Sequence, residues 1–259
     1  MIYQLGRQKR SFDPRIPHYS ALYRRRPPVI QLPSSGDYTA TMPRKEMSVF
    51  GNDRWGNCTC AGYLAEMEVR SNVAWGKMTV EPTENALKMY EEACGFNPKR
   101  PSTDQGGNMQ TVLKYLLNKG APTGMHGETR HKIDAFYEVD PRNLDDICRT
   151  VFECGSCYVG IDCPKEMVSW LNSGRIPDKW TTSGNMKPSG EGHCVIIAAW
   201  KPFQIISWGG IYEATDDWVE AVLDESYGIV DREFLTVSGH SPLGITVAEW
   251  EEEMQALKN

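Results

Sequence analysis

The stretch Gly51-Asn52-Asp53-Arg54-Trp55-Gly56-Asn57-Cys58-Thr59-Cys60-Ala61 decides how this chain is read. Two thiols, one residue apart, follow a polar turn bounded by glycines. The proline-free run CTCAGYLAEMEVRSNVAW continues from Cys58 to Trp75 as a predicted helix. A thiol at a helix N-terminus sits in a positive local field that favours the thiolate. Three chemistries compete for it. A metal site needs about four deprotonated ligands. Cys148, Cys154, Cys157 and Cys163 include one C-x-x-C pair, but Cys148 falls on the apolar face of a predicted helix and Cys157 starts a predicted strand. A redox pair favours C-x-x-C at a helix start, and Cys58-Thr59-Cys60 has one residue between its thiols. Nucleophilic catalysis needs a histidine brought in from elsewhere in the chain. Of the five histidines, His18 lies in the N-terminal segment, His126 and His131 in a polar loop, and His240 in a Ser-Gly-rich turn. Only His193 opens an apolar strand, behind Ser189-Gly190-Glu191-Gly192. No metal or other cofactor is read from the sequence.

The 259 residues, 40% apolar and 24% charged, suffice for a core in one large or two small domains. No apolar run reaches the ~18 residues of a membrane span, and the first residues lack the apolar segment of a secretory signal. Eight cysteines are too sparse for a disulfide scaffold, so reduced thiols in a cytoplasmic setting are expected. The net charge of −6 is uneven. Residues 1–45 hold nine Lys/Arg and two Asp, about +7; the remainder holds nineteen against thirty-two, −13. A basic, Pro- and Arg-rich arm over residues 1–45 therefore precedes an acidic body and is expected to dock on an acidic surface. Arg24, Arg25 and Arg26 are its candidate partner-binding residues. With no interleaving of aromatic and basic residues and no binding motif, nucleic acid is the weakest partner class.

Periodicity predicts helices over Cys58–Trp75, from Thr83 to a stop at Gly95, from Met109 to a stop at Gly120, and from Asp140-Pro141 through Phe152. Cys157–Ile161, Cys194–Trp200 and Phe203–Trp208 read as strands, the last two joined by Lys201-Pro202 as an antiparallel hairpin. Thr215–Tyr227 reads as a helix whose Asp224-Glu225-Ser226-Tyr227 end is solvated. Thr246 with Glu249 forms a capping box, and Ile245 with Trp250 a staple, on a C-terminal helix. Helices first and strands later give an α+β chain. It divides into an arm (1–45), a helical half (46–125), a β-rich half (126–240) and a C-terminal helix (241–259).

In this order the motifs resemble the papain-like cysteine peptidases over roughly residues 45–235. Gly56-Asn57-Cys58-Thr59-Cys60-Ala61 is similar to that family's nucleophile motif, Asp104-Gln105-Gly106-Gly107-Asn108 to its glycine-rich turn, His193-Cys194-Val195 to its general-base strand, and Ile206-Ser207-Trp208-Gly209 to its N-S-W-G. The resemblance implies a papain-like α+β fold, a helical subdomain followed by an antiparallel sheet. It implies Cys58 as nucleophile, His193 as base, Asn52 as oxyanion donor, and a peptide or amide substrate. Two positions depart from the family. Its imidazole-orienting asparagine falls on Ile206, which leaves Ser207, with Trp208 beside it, or an acid of the 213–217 loop to take the role. Its oxyanion glutamine falls on the shorter Asn52. The arm is also too short and too basic to resemble the family's inhibitory propeptides.

The segments GNDRWGNCTCAG, PSTDQGGNMQTVLKYLLNKG, GEGHCVIIAAW and WVEAVLDESYGIV are also similar to papain-like proteins encoded by tailed bacteriophages and found in bacterial genomes. That likeness, the charge asymmetry and the replaced asparagine favour a virion structural or decorating component, anchored to other virion or assembly subunits by residues 1–45. The alternative is an active thiol hydrolase.

Overall fold

The computed structural model describes residues 3–25, 31–232, 234–235 and 242–258. Arg26 and His240 lie outside them. The arm is not extended throughout: α1 (Tyr19–Arg25) forms within it, and β1 (Gly36–Asp37) follows. The helical half is α2 (Cys58–Trp75), α3 (Thr83–Cys94) and α4 (Met109–Asn118). Asn108 caps α4 by accepting from the Thr111 N–H. Thr83 is the first helical residue of α3 rather than its cap, a place taken by Pro82. The apolar face of α3 is turned towards Asn85, Ala86, Met89 and Tyr90.

Next come β2 (Ala121–Thr123), β3 (Thr129–His131), β4 (Ala135–Val139), α5 (Leu144–Cys154) and β5 (Cys157–Pro164). Helix α5 begins later than Asp140-Pro141 suggests, because Asn143 caps it by accepting from the Asp146 N–H. The chain continues through α6 (Lys165–Ser173), β6 (Lys179–Trp180), β7 (Pro188–Trp200), β8 (Phe203–Ser207), β9 (Gly210–Ala214), α7 (Asp216–Val222), β10 (Leu223–Val230) and α8 (Val247–Glu253).

The main sheet runs β4-β10-β5-β7-β8-β9-β6, with β1 pairing to the far end of β7. All pairings are antiparallel except β6 with β9, so the sheet is mixed. The predicted β7–β8 hairpin forms. The predicted helix over Thr215–Tyr227 is half wrong. It ends at Val222, and the chain enters β10 at Leu223 with no glycine or proline to mark the change. Glu225, Ser226 and Tyr227 are buried in the sheet rather than solvated. Their polar groups are satisfied there: Ser226 Oγ donates to Val139 O at 2.9 Å, and Tyr227 Oη to Glu225 at 2.9 Å.

Helix α2 is buried along most of its length and packs on β7. Tyr158 Oη of β5 donates to Thr59 O at 2.7 Å, which fixes the start of the helix against the sheet. At the other end Arg70, fully enclosed, donates to Glu66 (2.6 Å), Asp231 (3.2 Å) and Ile229 O (2.8 Å). On the opposite flank the capping box of Thr246 and Glu249 starts α8, and Trp250 stacks on Tyr137 at 5.5 Å. Removing one member of a buried ion cluster strands its partners. Arg70→Ala is therefore expected to lower unfolding free energy by roughly 3–5 kcal/mol, read as a shift in the urea midpoint; Trp75→Ala, at an exposed helix end, should shift it far less.

Candidate active site

The turn before α2 is built by its own polar residues. Phe50 and Gly51 both take positive φ (51° and 77°). Asn57 Nδ2 donates to Phe50 O at 2.9 Å and Asn52 Nδ2 to Trp55 O at 2.9 Å. Asp104 receives the Gly56 N–H at 3.1 Å and the Tyr90 hydroxyl at 2.6 Å, and that hydroxyl accepts the Gly106 N–H at 2.8 Å. One carboxylate thus locks the Cys58 turn to the Gly106-Gly107 loop. Cys58 opens α2, and its sulfur lies near the backbones of Cys194, Gly6 and Thr59. Cys194 follows His193 on β7, so the thiol lies against the residue next to the imidazole; no hydrogen bond joins Cys58 to His193 among the described residues.

His193 is buried, with its ring stacked on Trp208 at 4.4 Å and 17°. Its Nε2 lies 2.7 Å from Ser207 Oγ, and its Nδ1 has no hydrogen-bond partner among the described residues. Ser207 thus supplies the contact that Ile206 cannot. Two of the three acids of the 213–217 loop are engaged elsewhere: Glu213 with Lys179 at 2.6 Å, and Asp217 with Thr182. Asn52 lines the same crevice as Cys58, Cys194, Ile206, Ser207 and Trp208. One of its amide protons is held by Trp55 O, and the other has no partner among the described residues.

The remaining space is small, about 20 Å³, room for about one water molecule. The reason is the arm, which runs through the cleft. Tyr3 packs on Trp208 at 5.3 Å, and the Gln4 N–H donates to Asn52 O at 2.9 Å. Gly6 O accepts from the Gly107 N–H at 2.8 Å, the Arg7 N–H donates to Gly192 O at 3.0 Å, and the Gln8 N–H to Gly107 O at 2.9 Å. Arg7 pairs parallel to Gly107. Backbone approaches are so close that a Cβ on Gly6 would lie 2.1 Å from Gly56 O, and one on Gly106 (φ 74°) 2.0 Å from Gly6 O. Beyond the cleft, Arg10 pairs with Glu138, Lys114 meets Asp13 at 2.6 Å, and Arg25 meets Glu253 at 2.9 Å. Among the described residues, Arg24 Nε donates within α1, to Ser20 O at 3.1 Å. The described part of the arm before α2 therefore lies on the chain's own body. It crosses the cleft although its length and charge do not resemble a propeptide.

This burial reverses the electrostatics expected from the helix terminus. Exclusion of water pushes the Cys58 thiol up to about 12, against the pull of the Cys194 backbone and Arg7. Burial, aided by the Arg7 charge, drops His193 to about 3. Both groups are neutral at pH 7, in place of the low-pKa thiol that an unblocked helix start suggests. Arg7, Gly6, Asp162 and Glu225 were not among the sequence-derived site residues; Arg7 is one of nine cations in the arm, and no local pattern distinguishes it.

Comparison with known proteins fits this geometry. No family model and no curated protein sequence matches the chain. Among solved structures it is similar to xylellain, a cysteine protease from Xylella fastidiosa, over 89% of this chain and 97% of that one (TM-score 0.63, 14% identity). It is also similar to digestive procathepsin L 3 from Tenebrio molitor larval midgut (86% and 75%, TM-score 0.56, 13% identity). A third is the cysteine protease CMS1MS2 of Carica candamarcensis (77% and 99%, TM-score 0.53, 16% identity). The chain has the papain-like cysteine protease fold.

A histidine held neutral in the folded state makes stability depend on acid. Between its ordinary pKa near 6.5 and about 3, the unfolded chain binds a proton that the folded chain refuses. The His193 contribution is fully present above pH ~6.5 and declines as pH falls, at up to about 1.4 kcal/mol per pH unit. Chemical denaturation from pH 7 to 4 should therefore show a shallower loss in His193→Gln than in the wild type.

Proposed function

We propose that this protein is a latent thiol hydrolase acting on a peptide or amide, held inactive by its own N-terminal arm. One observation carries the reading: the Cys58 sulfur lies against the backbones of Gly6 and Cys194, and the residue before Cys194 is a histidine whose Nδ1 is unclaimed. When residues 3–8 leave the cleft, water enters and the positive charge of Arg7 departs. Rehydration lowers the Cys58 pKa by more than the loss of Arg7 raises it, and both changes raise that of His193. With Nε2–H donating to Ser207, Nδ1 is the lone-pair nitrogen and takes the Cys58 proton. The thiolate attacks the acyl carbon, and the Cys58 N–H with the second Asn52 proton stabilises the oxyanion. The imidazolium returns its proton to the leaving amine, and water then hydrolyses the thioester.

A virion component anchored by the arm is the second proposal. It draws on the sequence segments similar to phage-encoded proteins, and Tyr23 and Arg24 remain exposed for a neighbouring subunit. We rank it second because residues 4–8 of the arm make intramolecular backbone contacts across the cleft.

Gly6→Val in the full-length chain tests the first reading, since no Cβ fits beside Gly56 O. Iodoacetamide should label Cys58 of the wild type slowly at pH 7 and that of Gly6→Val at least about tenfold faster; one pKa unit of thiol already changes the thiolate fraction about tenfold. The gain should vanish in Gly6→Val/His193→Ala and shrink in Gly6→Val/Ser207→Ala. Equally slow labelling in every variant, with the arm open to added trypsin, removes the reading.

A further inference from the structure

Arg7 does more than fill space. Its guanidinium is buried beside the nucleophile and meets four acceptors. Nη1 donates to Asp224 Oδ2 at 2.8 Å and Glu225 Oε1 at 2.7 Å; Nη2 donates to Asp162 Oδ1 at 3.0 Å and Ile161 O at 3.2 Å. Glu225 is fully buried and is itself oriented: Tyr227 Oη donates to its other oxygen, and Gln110 Nε2 donates to that hydroxyl at 3.1 Å. Room for the arginine stem exists only because residue 160 is glycine. A Cβ there would lie 2.7 Å from both Arg7 Cδ and Glu225 Cγ.

We propose that this pocket, formed by Asp162, Asp224, Glu225 and Gly160, is a specificity pocket that selects an arginine side chain of the substrate, and that Arg7 occupies it as a stand-in. The inference rests on the hydrolase reading. Three carboxylates around one cation exceed what a structural ion pair needs, and without the arm they leave a cavity of strongly negative charge. Asp162 is largely exposed, so its share is screened; Glu225, with no exposed side-chain surface, dominates. The acceptors fan around two nitrogens of a planar fork. Guanidinium meets them together, whereas the single nitrogen of lysine cannot. The pocket belongs to the cleft, since the Arg7 N–H bonds to Gly192 O, next to His193, and the preceding Gly6 touches Cys58.

The test uses full-length Gly6→Val. Peptidyl coumarin amides carry arginine, lysine or citrulline, the neutral isostere, at each of three positions before the cleaved bond. Binding of the nonapeptide YQLGRQKRS is measured by calorimetry beside its form with citrulline in place of Arg7. Arginine should exceed citrulline at one position by about tenfold or more in kcat/KM, and lysine should fall between, as expected when charge-assisted bonds to a buried carboxylate are lost. The nonapeptide should lose about tenfold or more in affinity with citrulline. Both ratios should fall towards one with Glu225→Gln, and part of the way with Asp224→Asn, whose side chain is partly exposed and better tolerated. Hydrolysis without an arginine preference, or a preference that survives both substitutions, overturns this inference and leaves the hydrolase reading standing. An unreactive Cys58 with an open arm overturns both.

Discussion

The path of the backbone from Gln4 to Gln8, threaded between Gly107 and Gly192, is the constraint on which the site depends. Glycines line both sides of this path because the arm approaches backbone to backbone, without space for a Cβ. The segment excludes water from Cys58 and His193 and places a guanidinium beside the imidazole. Water exclusion penalises a thiolate and an imidazolium alike, and the nearby cation adds to the second penalty. A pair otherwise suited to nucleophilic chemistry is therefore held as neutral thiol and neutral imidazole. The helix terminus at Cys58 still favours negative charge, but the desolvation of a fully enclosed sulfur outweighs it.

The arm is held by a graded set of contacts. Tyr3 against Trp208 and the backbone bonds of Gly6, Arg7 and Gln8 are local and reversible. The Arg7 cluster is the strong element, because releasing it dry would leave Glu225 as an unpaired buried charge. Release with entry of water carries no such penalty, since hydration replaces the lost partner. The same contacts that close the cleft are thus compatible with opening it. Farther along the arm, Ile16, Tyr19 and Leu22 are buried against the body.

Around the imidazole, Ser207 changes how a replaced asparagine is read. An aliphatic residue at 206 leaves the ring without an amide partner, but the neighbouring hydroxyl reaches Nε2, and Trp208, at φ 48°, covers the ring face. Asn52 is likewise present in the crevice with one amide proton still uncommitted.

From sequence alone, Cys58 at a helix start, the β7–β8 hairpin and the capped C-terminal helix were legible, because short-range periodicity, capping residues and turn formers encode them. His193 does not open its strand, since β7 starts at Pro188 and pairs through the partly exposed 189–192 stretch that reads as a turn. The α+β order and the likeness to papain-like peptidases rest on the same local signals. The strand at Leu223–Val230 was not legible as such: it follows α7 without a breaking residue, and its acidic start looks solvated until a cation from residue 7 is seen to neutralise it. Arg7 itself could not be separated from the other arm cations, since its role depends on carboxylates 155 to 218 positions away in the chain. The sequence by itself determined which groups can do chemistry. Only the tertiary structure decided their protonation and access, because desolvation and ion pairing depend on what packs against a group rather than on what adjoins it in sequence.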